Sequence, residues 1–485
     1  MHVASDGPDV AREIETKYDI APDFAMPSLA DRERGVDVDT VRLASTYYDT
    51  GDHDLLRYRL TLRRRLGDVD TGWHLKVPGA GERTELRWPA TEEPPEALTA
   101  LLTPFVRDKP ITAVVRLDMT RTRHRIQGPT GELLAEVAQD DVRATGIDAE
   151  IRARRWHEAE VELGPAGSRA LLAEIGAALQ ARGAVASSSR SKLARALVGI
   201  GNEGVGTPRT SAGAVLIDYI AQQCDALVAG HFAIQRDADD SVHRTRVASR
   251  RMRSTLRTFE YCFDADQASA FEDELRWYAG VLGAVRDTEV LRARLLAAIA
   301  DLPADLVVGP VTDHVDGQLT RELGAYRAEL LEVMAGDRYV ELLAEATRWR
   351  DDPPFTAAAG RPAATLNEAI DRVERTLGKR LRRAARPLGT DEQMHGARKA
   401  GKRVRYAAEA AASRGDPRAI NLAKDTARLQ ELLGEFQDSV VAAELLRRLA
   451  TDAAGQGEDG FTYGVLVAEE RQRADEARRR ARRQS

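Results

Sequence analysis

The segment Glu13-Ile14-Glu15-Thr16-Lys17 sets two carboxylates and an ammonium at every second position. In a strand, side chains two apart share a face, so Glu13, Glu15 and Lys17 point one way while Ile14 and Thr16 point the other. The same alternation recurs in Arg63 with Arg65, His74 with Lys76, Arg83 with Glu85 and Arg87, and Arg121 with Arg123 and Arg125. It returns in Glu136 with Asp140 and in Glu158 with Glu160 and Glu162. One such strand reads as the solvent face of a half-buried sheet. Here whole strands carry mostly one sign, whereas a surface tuned for solubility mixes signs locally. Acids gathered on one face suit divalent cations, and bases gathered on another suit a polyanion. A closed barrel with a charged interior would hold both sets, as a metal-dependent phosphate site requires.

A second set of spacings lies further on. His243, Arg246, Arg250, Arg251 and Arg253 are matched by His395, Arg398, Lys402, Arg403 and Arg405 at the same offsets from each histidine. Leu282-Gly283-Ala284-Val285-Arg286-Asp287 is likewise echoed by Leu433-Gly434-Glu435-Phe436-Gln437-Asp438. At roughly 100° per residue, offsets 3, 7 and 10 fall within a stripe about 80° wide that includes the histidine. Few acids stand where they would pair with the stripe along its own helix, and the arrangement occurs twice, so two related helical halves offer basic stripes to a polyanion.

These residues must be positioned by two kinds of element. Up to about residue 200 the chain alternates short segments with turn signals, and Thr61 to Arg65, Gly72 to Val77, Arg83 to Trp88 and Glu158 to Leu163 read as antiparallel strands. Helices are expected at Glu96 to Leu102, Ser168 to Ala181 and Ser191 to Val198, the last carrying Lys192. Beyond Gly199 to Pro208, whose glycines and proline mark a linker, Leu216 to Ala233, Val242 to Phe263, Leu291 to Ile299, Tyr339 to Trp349 and Ala419 to Leu449 have helical periodicity. The expected division is 1–200, a linker at 201–211, a helical domain at 212–470 and a solvated basic tail at 471–485.

Composition agrees with folded domains. The 485 residues are 43% hydrophobic and 31% charged, enough apolar material for more than one core. The net charge of −6 gives no general attraction to nucleic acid. Cys224 and Cys262 form no metal or disulfide pattern, no leader is evident, and no run of about eighteen apolar residues occurs, so a cytoplasmic, non-membrane protein is expected.

The N-terminal series, with Tyr48-Asp49-Thr50, Leu62-Arg63-Arg64-Arg65, Leu75-Lys76, Arg83-Thr84-Glu85, Arg121-Thr122-Arg123 and Glu160-Val161-Glu162-Leu163, resembles the CYTH domain, the triphosphate tunnel metalloenzyme fold. The resemblance implies an α+β chain that begins with an eight-stranded antiparallel tunnel. In it Glu13, Glu15, Asp140, Glu160 and Glu162 would ligate Mg²⁺ or Mn²⁺. Lys17, Arg63, Arg65, Lys76, Arg121, Arg123 and Lys192 would bind a linear triphosphate, with Lys17, Glu13 and Glu15 as the catalytic group. Whether Asp140 or Asp141 faces inward depends on strand register.

The repeated stripes resemble the CHAD domain, a helical module associated with inorganic polyphosphate. By that resemblance His243, Arg246, Arg250, Arg253, His395, Arg398, Lys402 and Arg405 would line a basic groove, with Arg251, Arg403 and Tyr406 in support and Asp287 and Asp438 as buried partners that orient arginines. Together the parts resemble bacterial inorganic triphosphatases that cleave tripolyphosphate to pyrophosphate and phosphate and hold longer polyphosphate, in the cytoplasm or at polyphosphate granules. A non-catalytic polyphosphate-binding protein and an enzyme acting on an organic triphosphate, hydrolase or cyclase, are the alternatives. Nucleic-acid binding ranks last, because only Tyr406 offers a stacking ring among the stripe residues.

Overall fold

The computed structural model describes residues 7–31, 33–67, 70–79, 83–147, 153–189, 191–197, 210–386, 389–413 and 415–483. Most of the linker, 198–209, lies outside them. The chain forms two compact units, Met1–Gly204 and Val205–Ser485.

The first unit is a ten-stranded antiparallel sheet: β1 (Asp9–Glu13), β2 (Glu15–Asp19), β3 (Gly35–Asp49), β4 (Thr61–Leu66), β5 (Gly72–Val77), β6 (Arg83–Trp88), β7 (Thr112–Gln127), β8 (Leu133–Gly146), β9 (Arg154–Leu163) and β10 (Val185–Ala186). Four helices accompany it: α1 (Asp54–Arg57), α2 (Glu96–Val106), α3 (Arg169–Ala181) and α4 (Lys192–Ala196). The lateral order is β1-β6-β5-β4-β3-β7-β8-β9-β2-β10. Since β1 and β2 are one stretch of chain interrupted only at Ile14, and Leu163 donates its N–H to the Ile14 carbonyl at 3.0 Å, that stretch joins both ends of the series and closes the sheet into a tunnel. Ten strands replace the expected eight because of that interruption and because the two-residue β10 adds to the edge of β2.

The period of two sorts the sheet. Outward, Ile126, Val137, Ala159 and Val161 pack under Leu171, Ile175 and Leu179 of α3, whose first turn is capped by the Ser168 hydroxyl. The inner face is divided along the strands. Its apolar half, with Leu43, Tyr47, Leu117, Met119, Val142 and Trp156, holds Leu193, Ala196 and Leu197 of the α4 segment, and its polar half carries the charges. Helix α4, capped by Ser191, therefore lies against the inner wall and brings Lys192, its first residue, to the boundary with the charged half.

The second unit contains α5 (Ala212–Gln235), α6 (Ser241–Thr258), α7 (Ala265–Ala300), α8 (Val311–Ala335), α9 (Asp337–Asp351), α10 (Leu366–Ala384), α11 (Asp391–Ala412), α12 (Pro417–Gly455) and α13 (Phe461–Arg483). Helix α6 packs beside α11, and α7 and α8 share a core with α12 and α13 through Leu295, Val315, Leu446 and Leu466. Equivalent helices of the two repeats thus meet. The Arg-rich C-terminus differs from the solvated tail expected at 471–485, since α13 continues to Arg483. Ala474, Ala477 and Ala481, three and four apart, are buried against α11 and α12. Among the described residues no helix is long and apolar enough to cross a membrane.

Candidate tunnel site and basic groove

The charged half of the tunnel encloses a cavity of about 250 Å³. Eleven of the twelve tunnel residues singled out in the sequence line it: Glu13, Glu15, Lys17, Arg63, Arg65, Lys76, Arg121, Arg123, Glu160, Glu162 and Lys192. The twelfth, Asp140, stands just behind. It is 1% exposed and takes a two-pronged ion pair from Arg121, at 2.8 and 2.7 Å, with Lys192 Nζ at 3.1 Å. Asp141 faces out and pairs with Arg155, so the register puts Asp140 inside.

Bases and acids interlock within the cavity. Lys76 donates to Glu13 at 2.6 Å, Lys17 to Glu160, and Arg121 reaches Glu160 at 2.9 Å. Lys192 Nζ lies 2.6 Å from both Glu158 and Glu160. Against the cost of burial, Lys17, Lys192 and Arg121 hold the Glu160 carboxyl well below the usual range, and Glu158, Glu160 and Asp140 likewise keep Lys192 charged. The basic wall has its own counter-ion. Glu85, buried between Arg63 at 3.0 Å, Arg87 at 2.6 Å and His74 at 3.1 Å, is held far below an ordinary glutamate despite burial, Lys76 being the largest opposing charge. Tyr47 and Asp70 line the cavity but were not singled out in the sequence, and Glu85, named there in the alternation with Arg83 and Arg87, was given no role.

Two groups of polar atoms lack complements. Burial, with Glu13, Glu15 and Glu160 nearby and against the charge of Lys76, pushes Glu162 up to about 7, and among the described residues it forms no ion pair. The buried Nε–H groups of Arg63 and Arg65 donate to nothing among the described residues. A divalent cation among Glu13, Glu15 and Glu162 would relieve the first, and carboxylates are the hard oxygen donors such an ion takes, so in donor chemistry these residues fit the metal that the fold implies. Among the described residues the acidic group whose oxygens lie within 4.8 Å of one another is instead Asp140, Glu158 and Glu160, and the Lys192 ammonium already sits among them.

In the helical unit the two stripes come together along α6 and α11. Arg246 forms a two-pronged pair with Asp287 at 2.7 and 3.0 Å, Arg253 approaches Glu272 at 3.5 Å, Arg398 lies 4.0 Å from Asp438, and Arg405 pairs with Glu409 at 2.8 Å. His395 Nδ1 is 2.7 Å from the Gln437 side-chain oxygen, and burial lowers His243. Glu409 also accepts from Arg251 at 2.9 Å, and Arg251 stacks over the Tyr406 ring, tying the halves together. Asp287, expected to be buried, is instead 70% exposed at the groove edge. At the centre, Arg250 and Lys402 form no ion pair among the described residues. Burial followed by the charges of Arg250, Arg398 and Arg246 pushes Lys402 down to about 6, with only Asp438 opposing. The buried Nε–H groups of Arg246, Arg253 and Arg398 are also without acceptors among the described residues.

A CYTH-domain model matches residues 11–197 and a CHAD-domain model residues 218–447. An uncharacterized protein of Mycobacterium tuberculosis, present in two strains, is 34% identical over 99% of this chain and 96% of its own. Similar solved structures are PptA from Streptomyces chartreusis (23% identity, TM-score 0.48, 56% of this chain and 98% of that one) and the CHAD domain from the plant Ricinus communis (24%, 0.45, 58% and 97%).

Proposed function

Because the chain belongs to the proteins that carry a CYTH domain followed by a CHAD domain, we propose that its tunnel hydrolyses inorganic tripolyphosphate to pyrophosphate and phosphate while its helical groove holds longer polyphosphate. The observation that carries this reading is one cavity with two complementary deficits among the described residues, buried arginine donors without acceptors and a half-buried carboxylate, Glu162, without an ion pair.

In this reading Lys17, Arg63, Arg65, Lys76 and Arg121 exchange part of their bonding to carboxylates for phosphate oxygens, with Arg123 and Lys192 at the two ends of the set. Buried guanidinium forks suit that exchange, being planar, permanently charged and able to bond two oxygens at once. Glu13, Glu15, Glu160 and Glu162 would hold Mg²⁺ or Mn²⁺, which supplies charge neutralisation of phosphoryl oxygens and acidification of water. Asp140 would join that set only on release by Lys192; otherwise it orients Arg121. Water adds across one terminal P–O–P bridge, its oxygen going to the released phosphate and the bridging oxygen to pyrophosphate. No side-chain nucleophile is required.

The test is phosphate and pyrophosphate release from tripolyphosphate, long polyphosphate, ATP and thiamine triphosphate with Mg²⁺ or Mn²⁺. Tripolyphosphate should be cleaved fastest, and the double variant Glu13→Gln/Glu15→Gln should lose about 10³-fold in rate. Retained binding of long polyphosphate with no turnover of any substrate would replace the enzyme by a binding protein. Preferential turnover of ATP or thiamine triphosphate would move the substrate to an organic triphosphate.

A further inference from the structure

Along β7 the inward arginines become steadily more exposed, with side-chain exposures of 12% for Arg121, 15% for Arg123 and 27% for Arg125, so the strand runs from the interior toward a mouth of the tunnel. Strand β3 pairs with it there, placing Asp39 opposite Arg123 and Asp37 opposite Arg125. Asp39 takes a two-pronged pair from Arg123, its Oδ1 3.0 Å from Nε and its Oδ2 bonded to Nη2, and lies 3.2 Å from Arg125, which also donates to Asp37 at 2.8 Å. Glu136 lies within electrostatic reach of Arg121, the strongest of its cationic neighbours, and of Arg123, Arg125 and Asp39. At this mouth Asp39 and Asp37 therefore already engage the forks of Arg123 and Arg125, whereas deeper in the cavity Arg63 and Arg65 have donors to offer.

We propose that Asp39 is a specificity-determining residue: by occupying the guanidinium fork of Arg123, the outermost cation of the phosphate set on β7, it ends the phosphate track inside the tunnel, so that a fourth or later phosphate meets arginines already held by Asp39 and Asp37. The inference rests on the tripolyphosphate reading above and sharpens it from phosphate chains in general to short ones. A carboxylate fork competes directly with phosphate for the same planar donors, and repulsion from Asp37 and Glu136 raises the cost for longer chains without touching the reacting end.

The experiment compares kcat/KM for linear tripolyphosphate and linear tetraphosphate in the wild type, Asp39→Asn, Asp39→Glu and Asp37→Asn. Asp39→Asn should raise the tetraphosphate-to-tripolyphosphate ratio about fivefold, mainly through a lower KM for tetraphosphate. Asp39→Glu should keep the wild-type ratio, and Asp37→Asn, which touches only Arg125, should move it less. A wild type that cleaves tripolyphosphate while the Asp39→Asn ratio stays the same or falls would overturn the role of Asp39 alone. A wild type that releases no phosphate from tripolyphosphate would overturn the substrate reading, and the chain-length inference with it.

Discussion

The tunnel and the groove both gather bases, and they handle the resulting repulsion in opposite ways. In the tunnel each basic cluster is built around buried carboxylates: Glu85 among Arg63, His74, Lys76 and Arg87, and Asp140 with Glu160 among Arg121, Lys17 and Lys192. In the groove the pairs stand at the edges, through Asp287, Glu272 and Glu409, while Arg250 and Lys402 crowd together at the centre. Charges with counter-ions keep fixed geometry when no ligand is bound, which a reaction site requires. Bases crowded without them repel one another until Lys402 gives up its proton near neutral pH, and a polyanion reverses that, which favours binding over precision.

The largest effect on this difference should come from removing a counter-ion in the tunnel. Glu85→Gln leaves Arg63, Lys76 and the half-buried Arg87 around a neutral amide, and losing one partner of a buried ionic cluster costs about 3–5 kcal/mol. Denaturant unfolding of the variant should show that loss. A change below about 1 kcal/mol would mean that the basic wall is hydrated enough to stand alone, and the contrast with the groove would collapse.

The groove should respond in the reverse sense. Lys402 faces Arg246 and Arg250 on α6, Arg398 on its own helix and Asp438 on α12, and is pushed down to about 6 by burial and those arginines. For a base whose folded pKa lies below its unfolded value near 10.5, the unfolded chain holds the extra proton between about pH 6 and 10.5, so this group's contribution to stability rises with pH across that window. Bound polyphosphate favours the ammonium, so binding should take up close to one proton at pH 8, and affinity should fall by up to about tenfold per pH unit above 7. Titration calorimetry in buffers of different ionisation enthalpy measures the uptake. Lys402→Arg should abolish it while keeping tight binding, and Lys402→Met should abolish it and weaken binding about tenfold. Equal proton uptake by wild type and Lys402→Arg would remove Lys402 from the linkage.

Much of this architecture was legible because strand geometry is strict. Glu13, Glu15 and Lys17, or Arg121 and Arg123, share a face at any twist, and closing the sheet turns that face inward. The two stripes were legible for the same reason on a helix, through offsets that repeat. Pairing across the fold was not legible. Nothing local to Asp39, Glu85 or Lys192 says which partner it will meet, because that depends on lateral strand order and on α4 lying against the inner wall. The division of the inner face into charged and apolar halves was written in Val115, Leu117 and Met119, which continue the alternation of Arg121 and Arg123 with apolar side chains. The C-terminal helix was obscured by its arginines, although Ala474, Ala477 and Ala481 marked a packing face.

The smallest effect is the most discriminating, because it separates two roles for a carboxylate beside a basic groove. Asp287 is mostly exposed and pairs with Arg246, so Asp287→Asn should change stability by less than about 1 kcal/mol. A carboxylate that orients an arginine helps phosphate binding, and its loss weakens affinity; one that competes for the same fork hinders binding, and its loss strengthens affinity. The two-pronged geometry, at 2.7 and 3.0 Å, engages both Nη1 and Nη2 of Arg246, the atoms a phosphate would use, which favours competition. The variant should therefore bind long polyphosphate about two- to threefold more tightly, with a steeper dependence on salt because one more cation engages the ligand. Weaker binding would make Asp287 an orienting partner after all, and the groove would then share the counter-ion logic of the tunnel.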